Sequence, residues 1–344
     1  MNPSPPTKPA LSVVVPVYNS AAELRQCLSA LAGSAYSNFE VIVVDDGSDE
    51  PVHEIASARG FNRIREEIRK GPAHARNVGA AAARGEYIVF VDADVCVHAD
   101  TLSRIAENFA RSPHLSAVIG CYDNAPAQQT FVSQFKNLFH HFVHTMNAGE
   151  IGTFWCGCGA IRKDVFRRLG GFDEELYDQP SIEDIELGAR MASAGFRILL
   201  DEQIQGKHLK RWTLWSLIKT DVMRHGVPWT RLILRSGTMP DALNVTSSQR
   251  ASVLLDILAV FAVLIGFWQP VALAAAAVLW TVVAVLNRSL YQFFYAERGL
   301  WFVLRAVPLH WLYLGYCGVA FFCGAVAHCF ARDRAGSPLI REQQ

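Results

Sequence analysis

The apolar, β-branched run Leu11-Ser12-Val13-Val14-Val15 breaks at Pro16, and a second run, Val41-Ile42-Val43-Val44, follows a segment carrying Leu24, Cys27, Leu28 and Leu31 at helical spacing. Strand, helix and strand at this separation predict a parallel sheet with a right-handed crossover, and ligands bind beyond the carboxyl ends of such strands. A further buried strand, Tyr87-Ile88-Val89-Phe90-Val91, ends in Asp92-Ala93-Asp94. Three polar clusters are therefore expected on one rim: Pro16 to Ser20, Asp45 to Asp49, and the Asp92 turn.

Residues i and i+2 of an extended segment point the same way, so Asp92 and Asp94 are expected to converge on one ion. Hard oxygen ligands suit Mg²⁺ or Mn²⁺, which share their shell with substrate phosphates. The competing explanation is a polar strand-end turn, in which Asp is common.

Four short motifs stand in order: Pro16-Val17-Tyr18-Asn19, Val44-Asp45-Asp46-Gly47-Ser48, Ala75-Arg76-Asn77-Val78-Gly79 and Asp92-Ala93-Asp94. Together they resemble the nucleotide-sugar-binding half of family 2 glycosyltransferases. The resemblance continues through Gly170-Gly171-Phe172-Asp173-Glu174 and Glu183-Asp184, covering about the first two thirds of the chain. It implies an inverting enzyme with the α/β, Rossmann-like A-type glycosyltransferase domain and a mainly parallel central sheet. It also implies that Pro16, Tyr18, Asp45, Asp46 and Arg76 surround the nucleoside, with Asp92 and Asp94 holding ribose, diphosphate and metal. The chemistry agrees, because Asp46 accepts hydrogen bonds from base or ribose while Arg76 donates a charge-assisted fork. For Arg76 the alternative is a solvated charge at a helix start.

Ile151 to Gly159 places an aromatic pair before alternating glycines, so the backbone there can approach a substrate closely. Trp155 is an acceptor candidate, its alternative being core packing. Cys156 and Cys158 lack a second pair for a structural zinc site. Glu183 and Asp184 open a helix whose apolar face is expected to carry Ile185, Gly188 and Met191; simple capping explains acids there equally well. By resemblance, Asp184 is the general base that takes the proton of an acceptor hydroxyl, and Glu183 belongs with the acceptor. His208 follows the expected strand Phe196 to Leu200, and a histidine at this place in A-type enzymes can complete the metal shell with Asp92 and Asp94. Its alternative is a surface histidine in a basic loop. Processive synthases of this family carry Gln-x-x-Arg-Trp about here, whereas this chain has His208-Leu209-Lys210-Arg211-Trp212, which argues against a polymerase.

Of 344 residues, 51% are hydrophobic, and the excess sits in the last third. Leu254 to Trp268 and Val271 to Leu286 read as a helical hairpin, and Leu300 to Phe330 as a third apolar region whose spanning part begins near Pro308. Trp212, Trp215 and Trp229 mixed with Lys210, Arg211, Lys219, Arg224, Arg231 and Arg235 suggest amphipathic helices at an anionic membrane surface. The net charge of +0 and the absence of a nucleic-acid motif exclude nucleic acid as a partner. Met1 to Ala10 does not read as a signal peptide, so the catalytic domain is expected in the cytoplasm of a multi-pass membrane protein. Three spans would leave the arginines of the tail outside, against the charge rule.

The expected organisation is a glycosyltransferase domain over 1-210, interfacial helices over 211-250, transmembrane helices over 251-331 and a polar tail over 332-344. The expected activity is metal-dependent, hexosyltransferase-like transfer from a UDP- or GDP-linked sugar to a lipid or lipid-linked acceptor. The alternatives are a processive polysaccharide synthase and a silent sugar-nucleotide-binding scaffold.

Overall fold

The computed structural model describes residues 9–331 apart from 238, 240 and 241, so the start of the chain and the tail expected over 332–344 lie outside the described residues. The chain divides into two compact units between Arg211 and Trp212.

The first unit opens with β1 (Leu11–Val17), α1 (Ala21–Ala32), β2 (Phe39–Asp46), α2 (Val52–Ser57), β3 (Asn62–Glu66), α3 (Pro72–Ala82) and β4 (Tyr87–Val91). It continues with β5 (Val95–Val97), α4 (Thr101–Arg111), β6 (Leu115–Tyr122), α5 (Phe131–Thr145), β7 (Gly149–Ile151), β8 (Cys158–Arg162), α6 (Lys163–Arg168), α7 (Glu183–Ser193) and β9 (Arg197–His208). The strands form one sheet in the order β3-β2-β1-β4-β8-β6-β9-β5, with β7 also on β9. From β3 to β4 every pairing is parallel, as the alternation of strands and helices requires. Beyond β4 the sheet is mixed, because β8 runs antiparallel to both of its neighbours while β6 and β9 are parallel.

Every residue of β1 is buried, which explains its unbroken apolar run. Pro16 does not end this strand. Its pairing with β4 stops at Val14, so the missing N–H of Pro16 leaves no gap on that side. Helix α3 lies close on β1 and β2 through Gly79, where a Cβ would stand 2.3 Å from Val14 Cγ1. Arg76, one turn earlier on that face, is carried into the interior with Ala73 and Ala80.

The second unit begins with α8 (Leu214–Lys219), a π-helical turn (Thr220–Gly226) and α9 (Val227–Ser236). A short 3₁₀ turn, Leu243–Val245, precedes α10 (Ser247–Gly266), α11 (Val271–Leu286), α12 (Arg288–Arg298) and α13 (Leu300–Ala331). Thr213 caps α8, accepting from Ser216 N–H and donating its own N–H to the Ser216 hydroxyl. The π turn has a packing cause: the Tyr316 hydroxyl donates to Asp221 at 2.8 Å, and a Cβ on Gly226 would meet Ala320 at 2.6 Å. Asp256, which interrupts the apolar run of α10, accepts the Trp280 indole N–H at 3.0 Å, and Gly315 leaves room for its second oxygen.

Ser247–Gly266 and Leu300–Phe330 are long and apolar enough to cross a membrane, judged by length and composition. The expected span Val271–Leu286 is only 16 residues long and bends by 68° into α12, so the pair is a broken span or a re-entrant loop. The last helix starts at Leu300 and carries Pro308 inside it.

Candidate active site

The first two polar turns are knitted together. Asn19 adopts a left-handed conformation (φ 46°), donates its N–H to the Ser48 hydroxyl at 3.0 Å and accepts the Asp49 N–H at 2.9 Å. Asp45 accepts the Ser48 N–H at 2.9 Å and is buried. Pro16 lies beside these turns in β1, and Tyr18 projects into solvent with the Arg69 guanidinium 4.3 Å over its ring. Sequence reasoning missed Arg69; its place in Arg69-Lys70-Gly71-Pro72, just ahead of the Arg76 motif, was the available signal.

Asp46 holds the entry to α3. Its oxygens accept the N–H groups of Lys70 and Gly71 at 2.8 and 2.9 Å, and burial raises its pKa above the ordinary value. Gly71 is required there, with φ at +98° and a Cβ that would stand 2.2 Å from the Asp178 carbonyl oxygen. Any contact of Asp46 with a nucleoside has to use the lone pairs that remain.

Asp92 and Asp94 are not extended. Val95 N–H bonds the Asp92 carbonyl at 2.9 Å, closing a tight turn between β4 and β5 that aims the two carboxylates at different partners. Asp92 Oδ1 receives Arg76 Nη2 at 2.8 Å, and Asp94 Oδ2 lies 3.5 Å from His208 Nε2. Burial and the neighbouring Asp94 and Glu183 charges push Asp92 upward against the pull of Arg76. For Asp94, burial is outweighed by the hydrogen bond and charge of His208, which hold its carboxyl below the ordinary value. His208 is no loop residue: it is buried at the end of β9, its ring stacked on Tyr122 at 4.1 Å and 7°.

Among the described residues no three His, Cys, Asp or Glu side chains gather as a metal-holding group. Asp92 and Asp94, with side chains 31% and 28% exposed, still present hard oxygens from one turn. That donor set suits Mg²⁺ or Mn²⁺, which take one or two carboxylates and complete their shell with water and phosphate.

Arg76 is the hidden centre of the arrangement. It is buried, and its second amine, Nη1, donates to Glu183 Oε1 at 2.7 Å, so one guanidinium bridges the Asp92 turn and the start of α7. The fork expected to meet phosphate or base oxygens of the donor is thus occupied by carboxylates. Glu183 is likewise withdrawn from the acceptor: its other oxygen accepts the Ser181 N–H at 2.9 Å, and the residue is buried. Helix α7 packs its backbone on Thr153 and Phe154 through Gly188, and its buried face carries Leu187 with Met191, while Ile185 is only partly covered.

Asp184 is the carboxylate that remains partly accessible there. Its oxygens accept the N–H groups of Cys156 at 3.1 Å and Ile185 at 2.8 Å. Burial and the Glu183 charge raise its pKa to about 7, against the lowering effect of these bonds and of Arg76. A carboxyl at that value exchanges protons near neutral pH, as a general base must. Trp155 folds over Gly157, where a Cβ would meet its ring at 2.1 Å, and its indole stands edge-on to Tyr122 at 4.9 Å.

Residues 12–170 match the family model described as Glycosyl transferase family 2. An uncharacterised glycosyltransferase of Haemophilus influenzae is 30% identical over 180 residues, 51% of this chain and 60% of that protein. Glycosyltransferase GlyG of Streptococcus pneumoniae is 37% identical over 119 residues, 33% of this chain and 39% of that protein. The chain thus spans 60% or less of the length of these curated relatives. A mannosyltransferase from Pyrobaculum calidifontis, solved with GDP-Man and Mn²⁺, aligns with a TM-score of 0.57 at 19% identity, covering 96% of this chain and 90% of that one. At that identity the likeness is one of fold.

Proposed function

We propose, from the match of residues 12–170 to glycosyltransferase family 2, that this chain is a membrane-associated, metal-dependent inverting enzyme of that family, moving a sugar from a nucleoside-diphosphate donor to a lipid or lipid-linked hydroxyl. The observation that carries this reading is the Arg76 bridge, which ties the Asp92 turn to the helix that presents Asp184. A donor site and a base are thereby held in one frame, as a single displacement at the anomeric carbon requires.

In this reading Tyr18 and Asp45 take the nucleoside, with Asp46 and Pro16 shaping its floor. A divalent cation at Asp92 and Asp94, beside His208, would neutralise the charge of the departing diphosphate; the Mn²⁺ and GDP-Man bound to the Pyrobaculum protein are the precedent. Asp184 takes the proton of the acceptor hydroxyl as its oxygen attacks, and the Cys156 and Ile185 amides keep the carboxylate aimed. Glu183 and Arg76 act beneath the surface as positioning residues. The apolar helices α10 and α13 support a membrane location and, with it, a lipid acceptor; the catalytic unit is assigned to the cytoplasmic side.

The test is to incubate membranes containing the full chain with radiolabelled UDP- and GDP-hexoses, with and without Mn²⁺, and to extract lipid. Label entering the organic phase only with metal, and not with Asp94→Ala, supports the reading. Label confined to long water-soluble polymer would favour a polysaccharide synthase instead.

A further inference from the structure

Tyr122, the last residue of β6, lies on the same rim as the donor residues although no motif points to it. One face of its ring stacks on His208, whose Nε2 lies 3.5 Å from Asp94. The other neighbours are His140, tilted by 40° at 4.5 Å, and Trp155, edge-on at 4.9 Å. Trp155 is followed directly by Cys156, whose N–H holds Asp184. Tyr122 therefore touches both arms of the site, the donor arm through His208 and Asp94, and the acceptor arm through Trp155 and Cys156.

The ring is clamped while its hydroxyl is left over. His141 Nδ1 lies 2.7 Å from the Tyr122 carbonyl oxygen, tying the backbone to α5, yet the phenol oxygen makes no hydrogen bond among the described residues. A phenol is uncharged near neutral pH and can donate one hydrogen bond.

We propose that the Tyr122 hydroxyl is a specificity-determining contact that donates a hydrogen bond to a hydroxyl of the transferred sugar. This contact rests on the glycosyltransferase reading above and deepens it. In a single displacement the leaving diphosphate, the anomeric carbon and the attacking oxygen lie in line, so the sugar ring has to sit between the Asp92–Asp94 turn and Asp184. Tyr122 borders both ends of that interval, through His208 beside Asp94 and through Trp155 ahead of Cys156.

Tyr122→Phe removes only the hydroxyl and keeps the ring contacts. The full-length variant is compared with wild type on the nucleotide hexose that wild type uses and on its monodeoxy analogues. The expected result is a loss of about 10–100-fold in kcat/KM on the parent sugar, shrinking to near unity for the one analogue that lacks the contacted hydroxyl. Binding of the nucleoside diphosphate alone should be unchanged. Full activity of the variant, or an equal loss on every analogue, overturns the contact while leaving the enzyme assignment standing. A wild type that turns over no nucleotide sugar overturns that assignment and this inference with it.

Discussion

Replacing Asp184 by Asn separates the proposed base from its structural duties. Both carboxylate oxygens accept backbone N–H groups, from Cys156 and Ile185, so an amide can satisfy only one of them and turns its NH₂ against the other. That mismatch costs about 1–3 kcal/mol. In the opposite direction, holding a carboxyl at about 7 where 3.8 is ordinary corresponds to roughly 2–4 kcal/mol against the ionised form, allowing for partial solvent screening. Because the folded pKa is raised, the native state binds the extra proton between pH 4 and 7, and the wild type loses stability as pH rises through that window. The Asn variant has no such loss, so its melting temperature relative to wild type should rise between pH 5 and pH 8. Its transfer rate at pH 8 should nevertheless fall on the order of 10²–10⁴-fold, since proton removal by a positioned base is lost. Wild-type rate should fall about tenfold per pH unit below 7. The assay is lipid-extractable radiolabel across a pH series, paired with thermal melts of the purified protein. A folded Asn variant with more than a tenth of wild-type activity would refute the base assignment.

Three further outcomes follow from the packing. Arg76→Ala strands the buried Glu183 and the Asp92 carboxylate, so it should destabilise the first unit by about 3–5 kcal/mol, read as an earlier denaturation midpoint, whereas Arg76→Lys should keep the charge but lose the bridge. Gly188→Ala places a Cβ 2.2 Å from the Phe154 amide and should lower transfer by displacing α7, with donor binding by calorimetry nearly intact. Tyr316→Phe leaves Asp221 without its hydroxyl donor and should cost about 1–3 kcal/mol in the thermal stability of the helical unit.

Much of the first unit is legible in the chain because buried parallel strands are continuous apolar runs. β1, β2, β4 and α1 follow from periodicity, and the turns that end these strands carry the family motifs. What escaped is long-range. β6 is buried like β4, but nothing local says that β8 will enter antiparallel between them. Arg76 reads as a donor ligand, and its burial between two carboxylates shows only once Gly79 is seen to press its helix onto Val14, while the Asp92–Asp94 pair looks extended until Val95 closes the turn. The aromatic cluster around Tyr122 joins β6, α5, the segment after β7 and the end of β9, elements far apart in sequence. In the second unit, apolar length marked the helices, whereas the 68° bend after Leu286 is a property of the folded chain.

The central claim is that the Asp92–Asp94 turn holds a metal-bound nucleoside diphosphate. Isothermal titration of purified full-length protein with GDP and UDP, in Mn²⁺ and in EDTA, tests it most directly. Binding of one nucleotide that needs the metal in wild type, and that falls at least about tenfold in Asp94→Ala, is the predicted result. Equal binding in EDTA, or equal metal-dependent binding by the Ala variant, would contradict it.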